Sequence, residues 1–203
     1  MIILKKISFI SIAVLIALVI VSCKKDGKKE APQFTLDQND VTVKWTGYKT
    51  TDKIAVNGQF KEINITNHNE GATAMETLNG AEFSIPVSSL FTDEPARDSK
   101  LKQLFFGVMD NTLSLTGKLN LLEDGSGSID LLMNGIQQKI PVTYTVSGEL
   151  VELQGIMILD NWNGNAALAS INEACFELHK GPDGISKTWN EVAVSATVNL
   201  KKK

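Results

Sequence analysis

Apolar and polar residues alternate along most of the chain from Asp40 to its C-terminal end. In VTVKW (41–45) the first, third and fifth residues are apolar and the others polar, and AEFSIPV (81–87) and EVAVSATVNL (191–200) repeat this pattern. Strands with one apolar and one polar face are typical of antiparallel sheets, whereas parallel strands are apolar on both faces. The pattern therefore predicts an all-β, antiparallel fold.

Short turn sequences divide residues 113 to 159 into four successive strands. EDGSGS (123–128), Asn134-Gly135 and Ser147-Gly148 separate apolar stretches, and Asn-Gly is the strongest short hairpin signal. These strands are predicted to form a meander. In LSLTGKLNL (113–121) the alternation places Leu113 and Leu115 on one face.

Pro141 falls inside the third strand of this meander. Proline lacks the backbone donor that a sheet ladder uses, so it belongs at an edge or a bulge. The sequence alone does not resolve how this strand accommodates it.

Two segments have the spacing of helices instead. In residues 93–109 apolar residues recur every three or four positions, Asp93 or Asp98 could cap the start, and Pro95 suits a first turn. Residues 165–182 carry a second apolar stripe that ends at Gly181-Pro182. One or two short helices are therefore expected, laid over one end of the β-structure or inserted between strands.

The N-terminal segment has the pattern of an export signal. Lys5 and Lys6 precede an apolar run over residues 7–21, which is shorter than the roughly 20 residues that a spanning helix needs. The run ends at Ser22-Cys23, and a small residue before cysteine at this point resembles a bacterial lipoprotein processing site. We expect residues 1–22 to be a signal peptide and Cys23 to be acylated, for example with palmitate. An uncleaved N-terminal anchor is the alternative.

The residues after Cys23 indicate a tether to a membrane. KKDGKKEAPQ (24–33) is charged and contains Gly and Pro, so residues 23–39 are predicted to form the lipidated cysteine and a flexible linker, followed by one domain over 40–203. Two or three acyl chains anchor a protein stably. Because Lys24 follows the cysteine, resemblance to known sorting signals favours the outer membrane, with the domain facing the periplasm or the cell surface.

Charge and cysteine content exclude two classes of protein. The formal charge of −3 falls to −5 without Lys5 and Lys6, and no basic patch interleaves with aromatics, so a nucleic-acid partner is not expected. Beyond Cys23 the only cysteine is Cys175, so no intramolecular disulfide framework is expected. The fold must be stabilised by burial alone.

An ordered series of segments over residues 40 to 200 resembles the YceI-like family of lipid- and polyisoprenoid-binding proteins, which have a lipocalin-like barrel. Its most specific part is Arg97-Asp98 followed by Phe105-Phe106. The chain departs from simpler members by an insertion at about 160–188. The similar segments are VTVKWTGYK (41–49), VNGQFKEINI (56–65), SIPVSSLFTDEPARDSKLKQLFF (84–106), LSLTGKL (113–119) and KTWNEVAVSATVNL (187–200).

The resemblance implies a closed antiparallel barrel of about eight strands, a size that can hold one elongated ligand. Alternation by itself would also allow a sandwich. The candidate apolar lining is Val43, Trp45, Phe60, Phe83, Ile85, Phe105, Phe106, Leu115 and Leu119. The alternative is that these side chains simply fill the interior.

Arg97 and Asp98 are candidates for a second role. The planar guanidinium of Arg97 suits a phosphate head group, while the pair could equally serve as a clamp that fixes a loop. The partner that the resemblance implies is a polyisoprenoid or another long-chain lipid.

Signals for catalysis are sparse. Cys175 and His179 stand four apart on the second predicted helix and would share a face, which could hold a metal or activate a thiol, but apolar neighbours favour an inert buried thiol. There is no Cys-x-x-Cys-His motif and no glycine-rich phosphate loop after a strand, so no cofactor, no metal and no catalytic residue is expected.

The sequence therefore predicts non-catalytic binding of a long apolar lipid by a membrane-tethered lipoprotein. The alternative is a structural or interaction lipoprotein with a filled barrel, whose insertion docks a partner. Whether the chain forms a homodimer is left open.

Overall fold

The computed structural model describes residues 31–203, so the predicted signal peptide and Cys23 lie outside the described residues. Among the described residues no helix is both long and apolar enough to cross a bilayer. The strands are β1 Phe34–Lys49, β2 Ile54–Phe60, β3 Asn64–Asn67, β4 Glu82–Pro86, β5 Leu90–Phe91, β6 Ser114–Leu121, β7 Ser126–Met133, β8 Ile136–Ser147, β9 Leu150–Ile158 and β10 Glu191–Lys202. The α-helices are α1 Ala74–Leu78, α2 Pro95–Lys100 and α3 Asn165–Ala174.

All the strands belong to one antiparallel sheet in the order β3-β4-β6-β7-β8-β9-β10-β1-β2-β5. Every ladder between neighbours is antiparallel. The strands β6 to β9 pair successively, as a meander does. The predictions of an all-β antiparallel fold and of this meander are confirmed.

The two ends of the sheet meet along one seam. β2 and β3 follow each other along the chain, as do β4 and β5, and each pair behaves as one interrupted strand. β2 pairs with β5 through Gln59 and Phe91, and β3 pairs with β4 through Asn64 and Ser84. Between these ladders the backbone N–H of Lys61 donates to the carbonyl of Ser89 at 3.0 Å. Counting β2 with β3 and β4 with β5 as one strand each, the ten strands make eight, and the sheet closes on itself. The expected closed barrel of about eight strands is therefore confirmed.

The first strand begins before residue 40. β1 starts at Phe34, and Leu36 is only 8% exposed and pairs with Leu200 of β10. The register with β10 shifts between Leu36 and Val41, where the side chain of Asp37 accepts the backbone N–H of Asn39. Residues 34–39, assigned to the tether by their polar composition, thus belong to the sheet and include a bulge.

Two residues of the meander lie where the alternation did not place them. Leu113 is 87% exposed because β6 begins only at Ser114, so the prediction that it shares the buried face of Leu115 is wrong. Pro141 pairs with Ser128 of β7, and the ladder with β9 starts at the next residue. Pro141 therefore lies just outside the second ladder, where its missing donor is tolerated.

Both predicted helices exist, with different bounds. α2 starts at Pro95 and continues as a π-helical turn over Leu101–Phe105, in which the N–H of Phe106 bonds the carbonyl of Leu101. α3 ends at Ala174. Cys175 and His179 therefore do not share a helix face, and that part of the prediction is wrong.

α1 was not predicted, although its sequence carries a signal. The hydroxyl of Thr73 accepts the N–H of Glu76, and the carboxylate of Glu76 accepts the N–H of Ala72. This is a variant of the capping box that the Thr-x-x-Glu spacing indicates, in which the carboxylate accepts the N–H of the residue before the cap. The helix has only five residues, too few for an apolar period to be read.

The helices cover opposite ends of the barrel. The end where β1, β7 and β9 finish, called the mouth below, carries α2 and the insertion over residues 160–188. The other end, called the base, is covered by α1, whose Leu78 is 1% exposed. Trp162 anchors the insertion, because its fully buried indole donates to the carbonyl of Leu131 at 3.1 Å.

Candidate functional site

A cavity of about 530 Å³ occupies the mouth half of the barrel. Its wall is formed by every strand except β3, and its roof by α2, the π-helical turn and the insertion. A second cavity of about 110 Å³ lies towards the base. Val43, Phe83 and Ile85 line both, so the two cavities adjoin inside one barrel.

Most of the predicted lining residues surround the larger cavity. Only Leu119 does not, because it lies further down β6 and lines the smaller cavity. Around the larger cavity lie Val43, Trp45, Phe60, Phe83, Ile85, Phe105, Phe106 and Leu115. The structure thus brings together residues from segments far apart in sequence, and it leaves open space between them.

Two aromatic rings of the wall lie over glycines of the neighbouring strand. Trp45 pairs with Gly58 and Phe83 with Gly117. A Cβ atom at position 58 would overlap the six-membered ring of Trp45, and one at position 117 would lie 2.6 Å from Cζ of Phe83. Because the glycines leave room for the rings against the wall, the rings do not fill the centre of the barrel.

The indole N–H of Trp45 has no hydrogen-bond partner in the described part of the chain. Its Nε1 is inaccessible to solvent, and none of the described residues accepts its proton. A buried donor without an acceptor is costly. The ring of Trp45 lines the cavity, while its Nε1 lies against Gly58 and has no surface exposed to the cavity.

Phe105 and Phe106 form part of the cavity's roof. Their rings meet edge to face, with centroids 5.0 Å apart and an angle of 88° between the planes. The π-helical turn that ends at Phe105 changes the angle between successive side chains around the helix axis. Both of these consecutive residues therefore line the cavity.

The cavity reaches the surface between the start of α2 and the insertion. Glu94, Ala96 and Arg97 line the cavity and are exposed. On the opposite side Leu178 lines the cavity and is 61% exposed. A ligand could enter between these two elements.

Arg97 and Asp98 have separate environments. The carboxylate of Asp98 accepts the backbone N–H of Thr92 at 2.8 Å and its hydroxyl at 2.6 Å, which fixes the loop before α2. Asp98 does not line the cavity, whereas Arg97 does. Of the two roles proposed for the pair, Asp98 has the contacts of the loop clamp, and Arg97 has the position of a head-group ligand.

The cavity has a basic rim, defined here as Lys49, Arg97, Lys100 and His179. The ammonium of Lys49 donates to the carbonyl of Leu178 at 3.1 Å, and that of Lys100 lies 4.0 Å from Sγ of Cys175. Sequence reasoning did not select either lysine. The alternation of β1 does place Lys49 on the face of Trp45, and Lys100 stands one helical turn after Arg97, so both signals were present.

His179 is held by a short hydrogen-bond chain. Its Nδ1 lies 2.7 Å from the hydroxyl of Thr188, which donates to Oδ1 of Asn172 at 2.9 Å. A hydroxyl has one proton to donate, so Nδ1 of His179 is the donor towards Thr188. Burial lowers the pKa of His179, and the positive charges of Lys49 and Lys100 lower it further.

Cys175 is a buried thiol in the cavity wall. Within residues 31–203 no three His, Cys, Asp or Glu side chains cluster as they would around a metal ion. His179 contacts Cys175 through the backbone, its N–H donating to the carbonyl at 2.9 Å, while its ring bonds Thr188.

Comparison with known proteins identifies a family that fits this geometry. The sequence profile of the YceI-like domain matches residues 34–201, which is most of the chain. Among curated protein sequences, none matches significantly.

Two solved structures share the fold at low sequence identity. A polyisoprenoid binding domain from Saccharophagus degradans, implicated in plant cell wall breakdown, is 11% identical with a TM-score of 0.57, over 85% of this chain and 100% of that one. BcnA of Burkholderia cenocepacia is 13% identical with a TM-score of 0.54, over 82% of this chain and 99% of that one. These likenesses concern the fold.

Proposed function

Because the chain belongs to the YceI-like family, we propose that it binds a long apolar lipid, of the polyisoprenoid or a related class, in the barrel cavity. The observation that carries the proposal is the open apolar cavity of about 530 Å³. This volume lies within the roughly 300–1,000 Å³ typical of small-molecule sites. The binding is reversible and involves no chemical conversion of the lipid.

The driving force is removal of apolar surface from water, about 25 cal/mol per Å². The lining is almost entirely aliphatic and aromatic, so it matches a hydrocarbon chain better than a polar metabolite. The polyisoprenoid-binding domain of Saccharophagus degradans shares the fold, which supports this class of ligand.

The alternative of a filled barrel that serves only as a scaffold has less support. A filled interior would have no space around Trp45, Phe83 and Leu115, whereas all three face the cavity. The exposed side chains of Phe176 and Leu178 in the insertion favour partner docking as a secondary role, without requiring a filled barrel.

Native mass spectrometry of the protein purified from a bacterial host, followed by lipid extraction, tests the binding proposal. We expect a one-to-one adduct with the mass of an isoprenoid or acyl lipid. A clean unliganded mass that persists after addition of polyprenyl lipids would contradict it and favour the scaffold.

We also propose that the protein is a lipoprotein whose acylated Cys23 holds it at the outer membrane, facing the periplasm or the cell surface. The apolar run, Ser22-Cys23 and the charged linker support this. Labelled palmitate is expected to enter the wild type and Cys175→Ser but not Cys23→Ser. Incorporation into Cys23→Ser would overturn the assignment.

A further inference from the structure

The charged residues around the cavity are unequal in sign. Of the residues that the structure describes, its lining contains Lys49, Arg97 and Lys100, besides His179, and one acidic residue, Glu94. The whole chain has the opposite balance, with 23 acidic against 20 basic residues. The excess of positive charge is therefore local to the cavity.

Among the residues that the structure describes, the three permanent cations of the rim have no carboxylate partner. Within residues 31–203, no Asp or Glu oxygen lies within 4.0 Å of the charged nitrogens of Lys49, Arg97 or Lys100, whereas seven other lysines do form such pairs. Lys49 and Lys100 are half-buried. Charges that are partly removed from water next to an apolar surface are destabilised unless an opposite charge compensates them.

The rim cations converge on one place. Lys49 reaches it from β1 and bonds the carbonyl of Leu178, the residue before His179. Lys100 reaches it from α2 and contacts Cys175, whose carbonyl accepts the N–H of His179. The lowered pKa of His179 is consistent with two cations close to its ring. Arg97 lies one turn before Lys100, at the exposed edge.

We propose that the basic rim binds the oxyanion head group of the lipid, so that the cargo is an anionic amphiphile with a phosphate or carboxylate head instead of a neutral hydrocarbon. The proposal rests on the proposed function, since the tail occupies the cavity. Lys49 and Lys100 bind the oxyanion from two sides, and Arg97 binds it at the opening. Because Nδ1 of His179 carries the proton that Thr188 accepts, Nε2 of the neutral ring is a hydrogen-bond acceptor, and the oxyanion is bound by the three cations of the rim and not by His179.

Three probes with the same fifteen-carbon chain separate head-group recognition from tail binding: farnesyl phosphate, farnesoic acid and farnesol. We expect the wild-type protein to bind at least one of the two anions roughly tenfold or more tightly than farnesol, because charge-assisted hydrogen bonds replace water contacts. Preference for farnesyl phosphate over farnesoic acid identifies a phosphate head, and the reverse identifies a carboxylate.

The double variant Lys49→Gln/Lys100→Gln is expected to lose that preference and to bind farnesol as the wild type does. Lys102→Gln is the matched control, because Lys102 lies on the same helical segment and does not line the cavity. Far-ultraviolet circular dichroism establishes that the variants are folded.

Equal affinity of the wild type for all three probes overturns the head-group inference and leaves the proposed function standing. A preference that survives in the double variant also overturns it, since the rim would not be the site. Failure of every probe to bind contradicts the proposed function together with the inference.

Discussion

Trp45 lies flat across Gly58, its partner on the adjacent strand, and its indole occupies the place where a side chain at position 58 would begin. A Cβ atom there would stand 2.9 Å from the indole nitrogen and closer still to the ring carbons. Because Gly58 has no side chain, the indole of Trp45 can lie against the wall, and this position determines the width of the cavity.

Gly58→Ala is therefore expected to push Trp45 into the cavity. The free energy of unfolding should fall by about 1–3 kcal/mol, the usual cost of overpacking, and lipid affinity should fall with it. Urea unfolding followed by tryptophan fluorescence measures the first effect. Gly47→Ala is the control, since a Cβ atom there would meet the same indole at an ordinary 3.9 Å. Equal costs for the two substitutions would show that contact with Trp45 does not limit position 58.

Leu115→Trp tests whether the barrel is hollow. Leu115 faces the larger cavity, so the indole should enter open space, cost less than about 1 kcal/mol of stability and weaken lipid binding. Leu113→Trp provides the comparison, because Leu113 is two residues away and exposed. Thermal unfolding and lipid titration report the outcome. A large loss of stability in Leu115→Trp with unchanged binding would mean that the interior is filled and the lipid binds elsewhere.

Asp98 and Arg97 should respond differently to substitution. Asp98→Ala removes the acceptor of two hydrogen bonds from Thr92 and is expected to cost about 1–3 kcal/mol. Arg97→Ala should change stability by no more than about 0.5 kcal/mol, because the residue is exposed and makes no ion pair in the described part of the chain. Chemical denaturation of both variants measures the two changes in the free energy of unfolding. Equal losses would show that the two residues act as one clamp.

His179 should make stability depend on pH. Its pKa in the folded state is below the ordinary 6.5, so the unfolded chain binds a proton that the folded chain resists. The contribution of His179 to the free energy of unfolding is fully present above pH 6.5, falls as the pH decreases below that value and levels off below the folded-state pKa.

His179→Asn should flatten this dependence, since asparagine can keep a donor near Thr188 without titrating. Unfolding curves between pH 8 and pH 5 for the wild type and the variant measure the difference. An unchanged slope in His179→Asn would assign the dependence to other groups.

The alternation of residues was enough to predict the antiparallel sheet and the meander, and together with the family resemblance it led to nine candidate lining residues, of which eight lie around the larger cavity. It could not predict that the interior is hollow. Trp45 and Gly58 are thirteen positions apart, and their contact depends on the strand register, which no single strand pattern contains. The closed barrel was expected from the family resemblance, whereas alternation by itself also allowed a sandwich, because the short strands β3 and β5 at the seam carry too few residues for a period.

Of the basic rim, Arg97 was a candidate from the sequence, but Lys49 and Lys100 were missed because the members of the rim come from β1, α2 and the insertion. Lys49 and His179 are 130 positions apart, and only the folded chain brings them to one place. His179 had been considered together with Cys175, its neighbour on a helix that in fact ends earlier.

The strand pair β1 and β10 has a mechanical consequence. Phe34 and Lys202 pair with each other at the base, so the first and last strands of the domain begin and end, respectively, at the end of the barrel that α1 covers. A linker, a tag or a solid support joined to either end of the domain is therefore joined at the far end from the opening of the cavity. Force applied between the two termini would unzip β1 from β10 one residue pair at a time, starting at the base and reaching the mouth last.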